Sequence, residues 1–124
     1  FLSIFYIAFG GAIGSLVRYL IGVFLQNTKS GFPLSTFLVN VIGSFAIGII
    51  FYILKDSNNE NLKAFIIIGF LGGFTTFSAF SIDVLNLIIE KQYFTSMLYI
   101  SMTFICSLSA VFLGFLFVRL ILDS

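Results

Sequence analysis

Histidine and tryptophan are absent from this 124-residue chain, cysteine and proline occur once each, and only 9% of residues are charged. Each shortage closes off a class of function. Without histidine, the commonest general base and metal ligand is missing. The lone Cys106 sits within an apolar run, so neither a disulfide framework nor a cysteine metal cluster is available. A net charge of +1 supplies no basic patch to neutralise phosphates, which argues against nucleic acid as a partner. No paired buried carboxylates occur, and Cys106 has no base nearby in sequence. General acid–base and nucleophilic catalysis therefore both lack their groups. The glycine-rich stretch near Gly72 is not followed by the Gly-Lys-Ser/Thr of a phosphate loop. The chain does not read as an enzyme.

What is present is apolar surface. Hydrophobic residues make up 60% of the chain, mean hydropathy is +1.17, and 18 phenylalanines with five tyrosines bring the aromatic share to 19%. A soluble domain carries about 25% charged residues, so this is an integral membrane protein. Alternating strands do not appear, and the apolar runs have helix-spanning length. The expectation is an all-α membrane protein with one domain over residues 1–124. Its spans fall at about 4–25, 34–54, 62–89 and 94–122. Span one carries Arg18 well inside and exceeds the apolar region of a signal peptide. The chain opens at Phe1 without a methionine, and a few preceding residues are expected.

The third run is the unusual one. Gly69, Gly72, Gly73, Thr75, Thr76, Ser78, Ser81 and Asp83 are crowded into a segment that belongs in hydrocarbon. Its length is also excessive: about 28 residues at 1.5 Å each give roughly 42 Å, against a core of about 30 Å. A break near Gly72–Thr75 relieves both difficulties. Irregular backbone at membrane depth is tolerated only against protein or a wet path, and broken helices present ion-binding dipole ends there. The plainer alternative is close helix packing through small residues.

Polar and small residues recur at helical spacing elsewhere. Gly10, Gly14, Arg18 and Gly22 fall four apart on span one, and the glycines read as a packing seam. Arg18 fits either a vestibule or an interfacial anchor. The polar loop from Gln26 to Phe32 leads to Pro33, a first-turn proline for span two. Thr36, Asn40, Ser44 and Gly48 form one stripe of that span, and Tyr99, Thr103 and Ser107 form another on span four. Tyr52 and Tyr93 suit an aromatic belt. Lys55, Lys63 and Arg119 lie on one side of the membrane, with Lys29, Lys91 and Arg18 towards the other. The positive-inside rule then has no preference, so the chain is expected to insert both ways up and to pair as inverted repeats do.

These faces offer neutral donors: the Asn40 amide and the hydroxyls of Thr36, Thr75, Thr76, Ser78, Ser81, Thr103 and Ser107. Donors without fixed positive charge suit a small anion that must be held and then released. Phe77 and Phe80 share a face with the hydroxyl-rich turn, and ring edges are electropositive. Freed carbonyls at the break suit a cation.

The segment Gly72-Gly73-Phe74-Thr75-Thr76-Phe77-Ser78-Ala79-Phe80-Ser81 resembles the signature of the Fluc (CrcB-type) fluoride channels. Gly10–Tyr19 and Pro33–Asn40 support the likeness, which covers all four spans in order. The resemblance implies an antiparallel, dual-topology homodimer in the plasma membrane with two fluoride pores. It implies that the backbone carbonyls of Gly72 and Thr75 from both subunits hold one structural sodium ion at the dimer centre. It further implies that Phe77 and Phe80 line the pores. Asn40, Ser78, Thr76, Ser107 and Thr36 would give polar contacts, with Arg18 at the vestibule and Tyr99 on the pore side of span four. The chain departs from the family pattern at Ser35, where glycine is usual, at Ala79, where a hydroxyl is frequent, and at Asp83, where glutamate is common.

The function implied is passive fluoride export driven by the membrane potential. One rival is a proton-coupled small multidrug-type exporter, also four-span and dual-topology, which wants a membrane-centred carboxylate. Spans one and two hold no acidic residue and Asp83 lies near an end of its run. The other rival is a non-transporting scaffold subunit.

Overall fold

A computed structural model describes residues 2–25 and 31–123. The loop residues 26–30, including Lys29, lie outside the described part. Four apolar helical spans account for the structure: α1 (Leu2–Phe24), α2 (Leu34–Leu54), a composite third span over Glu60–Ile89, and α6 (Tyr93–Leu122). The third span consists of α3 (Glu60–Lys63), a π-helix (Ala64–Leu71), α4 (Gly72–Phe74) and α5 (Phe77–Ile89).

The spans pack as two close pairs, and glycine makes both. On α1, a Cβ at Gly10 would meet the Phe65 carbonyl, and one at Gly14 would meet the Phe70 carbonyl. From the opposite side, a Cβ at Gly69 would lie 2.8 Å from the Ile7 carbonyl, and one at Gly73 would crowd the Gly11 backbone. The packing seam read from the glycine spacing on α1 is thus present at Gly10 and Gly14, whereas Gly22 faces Ser35 of α2. The second pair is α2 with α6, where Gly48 faces the Val111 carbonyl and Gly114 faces the Phe45 carbonyl. In hydrocarbon, such backbone approach supplies the dispersion contacts that hydrophobic burial cannot. Asn59 caps the third span by accepting the Leu62 N–H at 3.0 Å.

The third span breaks at Thr75 and Thr76, at the C-terminal end of the stretch its composition indicated. Thr75 (φ −85°, ψ 154°) and Thr76 (φ −154°, ψ 122°) are both extended, so α4 and α5 are separate helices. Gly69 and Gly73 pack against α1, whereas Gly72 is exposed in the single chain. The π-helix was not foreseen: where nearly every residue from Ala64 to Leu71 is apolar, no periodicity distinguishes i+5 from i+4 spacing.

A tight turn joins α5 to α6. Gln92 N–H donates to the Leu87 carbonyl at 2.8 Å and Lys91 N–H to the Ile88 carbonyl at 3.0 Å. This is the paired bonding of a Schellman cap, with Lys91 at φ 59° in the position glycine normally takes. The turn brings α5 back along the start of α6, where Phe80, Leu87 and Tyr99 form a buried cluster.

Candidate functional site

The break in the third span leaves backbone groups at membrane depth, and side chains take up several of them. Leu71 carbonyl accepts both the Thr75 N–H and the Thr75 hydroxyl, each at 2.9 Å. Gly73 carbonyl accepts Arg18 Nε at 3.1 Å. The guanidinium on α1 therefore caps the C-terminal end of α4, where the helix dipole is negative. Sequence left Arg18 between vestibule and anchor; its half-buried side chain is tied to this carbonyl.

Asn40 on α2 does most at the break. Its Nδ2 donates to the Thr76 carbonyl at 3.1 Å, and its Oδ1 accepts the Thr76 N–H at 2.8 Å. The side-chain amide thus pairs with an extended residue as a neighbouring strand would. The orientation of the amide follows from the backbone, because an N–H only donates and a carbonyl only accepts. Thr76 then caps α5, its hydroxyl accepting the Ala79 N–H at 3.1 Å and lying 3.2 Å from the Ser78 hydroxyl.

Gly72 and Thr75 are among the carbonyls that lose their helical donors by this arrangement. In a continuous helix Gly72 O would accept Thr76 N–H and Thr75 O would accept Ala79 N–H. Those N–H groups go to Asn40 Oδ1 and to Thr76 Oγ1 instead. Hard neutral oxygens of this kind fit a hard monovalent cation. Among the described residues no group of three His, Cys, Asp or Glu competes for a metal. A recess of about 220 Å³ adjoins these residues, lined by Gly43, Ser44, Ile47, Ile67, Leu71, Gly72 and Thr75.

A larger groove of about 500 Å³ runs between the break and α6. It brings together Asn40, Thr76, Phe77, Phe80 and Ser107 from the sequence-derived set, along with Gly72 and Thr75. Thr103 Oγ1 and Ser107 Oγ in this groove are buried without a hydrogen-bond partner. A buried hydroxyl left unpaired costs roughly 1–3 kcal/mol, so these two are the strongest local sign of a ligand. Ser44 and Phe104 also line it. Phe104 escaped the sequence reading because one phenylalanine among eighteen carries no signal.

The other expected residues lie around this groove. Arg18 and Thr36 line a second recess of about 290 Å³ with Tyr19, Ser35, Thr76 and Ala79. Thr76 borders both spaces, while Asn40 lines only the larger groove. Tyr99 is fully buried and lines neither: its ring packs on Phe80 at 5.0 Å between centroids and its hydroxyl donates to Asp83 Oδ2 at 3.0 Å. Ser78 is exposed. The two pore-candidate rings differ, since Phe80 is 5% exposed and Phe77 69%, with centroids 5.4 Å apart.

The chain matches the family model described as CrcB-like protein, Camphor Resistance (CrcB), over residues 5–115. It is 41% identical over 117 residues to the Fluoride-specific ion channel FluC of Azobacteroides pseudotrichonymphae, covering 92% of this chain and 94% of that protein. The protein of the same name from Rhizobium meliloti is 42% identical over 113 residues, 89% of this chain and 90% of its own length. That from Campylobacter fetus is 39% identical over 122 residues, 96% and 95% respectively. With a broken third helix, a groove of unpaired hydroxyls and this likeness along nearly its whole length, the chain belongs to the CrcB family.

Proposed function

We propose that this multi-pass plasma-membrane protein is a fluoride-selective passive channel that lets the anion leave the cytoplasm. It is not an enzyme. The observation that carries the reading is the pair of buried, unpartnered hydroxyls of Thr103 and Ser107 beside Phe77 and Phe80. Fluoride is small and holds its water tightly, so a path must replace that shell with donors. Hydroxyls, an amide hydrogen and ring edges do this without a fixed positive charge that would trap the ion.

The working form is an antiparallel homodimer in lipid with two pores. Support comes from the exposure of Phe77, Phe104 and Leu108 along the rim, which leaves the groove open on one side in a single chain. A second copy inserted the other way up closes it. The balance of positive charge between the two sides allows such insertion.

In each subunit Asn40, Thr76, Ser78 and Ser107 offer hydrogen-bond contacts along the path, and Phe77 and Phe80 present their edges. Thr36 and Arg18 serve the outer recess, and Tyr99 supports the Phe80 ring from behind. Gly72 and Thr75 carbonyls from both subunits would hold a central, structural sodium ion at the dimer axis, apart from the anion path. Fluoride that enters as the neutral acid dissociates inside. The potential then drives the anion out with about 2.3 kcal/mol per charge per 100 mV.

The test is efflux from liposomes loaded with fluoride and chloride, with valinomycin and potassium setting the voltage. Fluoride leaves and chloride stays, and Phe77→Ile slows the fluoride. Equal release of both halides would reject the selectivity. Proton-dependent transport of an organic cation, lost in Asp83→Asn, would favour the multidrug-type exporter. Absence of any ion flux would favour the scaffold.

A further inference from the structure

The two hydrogen bonds of Asn40 have a consequence for the backbone that the anion path does not require. The N–H of Thr76 is the i+4 donor that a continuous helix would give to the Gly72 carbonyl. Asn40 Oδ1 accepts that N–H at 2.8 Å, and Asn40 Nδ2 holds the other side of the same residue at 3.1 Å. With Thr76 pinned at ψ 122° and Thr75 at ψ 154°, the chain cannot return to helical geometry at this point. Gly72 itself is unpacked: it is exposed, and a Cβ there would meet nothing closer than 3.8 Å. No proline interrupts the run, so every residue at the break retains the N–H that a continuous helix would use. What competes with the helical bond is a side chain from a different span.

We infer that Asn40 is a positioning residue for the cation centre: by taking the Thr76 N–H it keeps the Gly72 carbonyl free of its helical donor. The inference rests on the proposed sodium site for its purpose, but the diversion of the hydrogen bond stands on its own geometry. Asn40 therefore joins α2 to the dimer centre, in addition to any contact its remaining amide hydrogen makes with an anion. Without the Oδ1 acceptor, the Thr76 N–H returns to Gly72 O and α4 lengthens past Thr75. The carbonyl is then hydrogen-bonded and cannot ligate.

The sequence supplies a selective probe. Adjacent glycines occur only at Gly10–Gly11 and Gly72–Gly73. In full-length protein in lipid bilayers, with glycine labelled by ¹³C at the carbonyl and by ¹⁵N, only the Gly10 and Gly72 carbonyls are bonded to a labelled nitrogen. Solid-state NMR filtered through that bond shows two carbonyl signals, with Gly10 as internal control. In the unsubstituted protein the Gly72 signal is expected to move when sodium replaces potassium, while Gly10 stays. In Asn40→Leu the Gly72 signal is expected to sit at the position of a hydrogen-bonded helical carbonyl and to ignore sodium. Asn40→Asp keeps the acceptor for Thr76 N–H, and should retain the position of the unsubstituted protein in potassium even if the leucine variant fails to fold. A sodium response that survives in Asn40→Leu would overturn the inference and leave the sodium site standing. If the unsubstituted protein shows no sodium response, the site itself is wrong. The Gly72 position in potassium then decides the hydrogen bond: a helical value in Asn40→Leu supports the diversion, and an unchanged value overturns it.

Discussion

At the scale of single residues, the break is held by side chains that replace backbone partners. Thr76 is the N-cap of α5, and its hydroxyl takes the Ala79 N–H that α5 cannot satisfy internally. Thr76→Val removes the cap at nearly constant volume and should cost about 1 kcal/mol of stability. Thr76→Ser should cost less, as read by thermal unfolding of the purified protein. Lys91 has the opposite character. It occupies the left-handed region at φ 59°, which strains a residue with a Cβ. Lys91→Gly is expected to raise stability by about 1 kcal/mol, and an unchanged melting temperature would speak against that strain. In the groove, Ser107→Ala deletes a hydroxyl with no protein partner. Loss of one hydrogen bond to a charged species, about 1.5–3 kcal/mol, should slow fluoride efflux about tenfold or more while leaving the fold intact. Neutral efflux rates in that variant would remove Ser107 from the path.

Helices set where those residues stand. The α2–α6 pair carries Asn40 opposite Thr103 and Ser107 because Gly48 and Gly114 let the two backbones touch. A Cβ at Gly48 would run into the Val111 carbonyl, and one at Gly114 into the Phe45 carbonyl. Gly48→Leu should therefore separate the pair and cost on the order of 1–3 kcal/mol or more, visible as a lower yield of folded protein by gel filtration. Gly22→Ala is the control. Its added methyl lies 3.4 Å from Ser35 Oγ, a contact a hydroxyl rotor can accommodate. The spacing of Gly10 and Gly14 made the seam on α1 readable, since periodicity is local information. Arg18 shows the limit of the same reading. Its position was plain, but its partner, the Gly73 carbonyl, is 55 residues away in the chain.

For the molecule as a whole, the surface is the informative feature. Large apolar side chains are exposed on every span, from Phe5 and Phe24 on α1 to Phe112 and Leu120 on α6. Lipid accounts for most of that area. The rim at Phe77, Phe104 and Leu108 borders unpaired hydroxyls, which lipid tails cannot satisfy, and so calls for a polar cover. The proposed dual insertion rests on the balance of lysines and arginines between the two sides, and that balance can be tilted. Asp56→Lys with Asn58→Lys adds positive charge to one side only and should fix a single orientation, losing fluoride efflux. Co-expression with a Glu90→Lys, Gln92→Lys variant, biased the other way, should restore it. Full activity from either variant alone would mean that oppositely inserted copies are not needed.

Composition and spacing carried the membrane class, the helical spans, the small-residue seam and the presence of a break. Each of these depends on which residues lie within a few positions of one another, and helix period and hydropathy report that directly. The partners at the break were beyond such reasoning. Asn40 was visible as a costly amide in a span, yet that it pairs with the Thr76 peptide is a contact across 36 residues. Likewise, Tyr99 lies behind Phe80 rather than along the groove, and Gly72 is exposed while Gly73 is packed. Those outcomes depend on how two helix pairs meet in space, and only the folded chain decides which N–H a carbonyl receives.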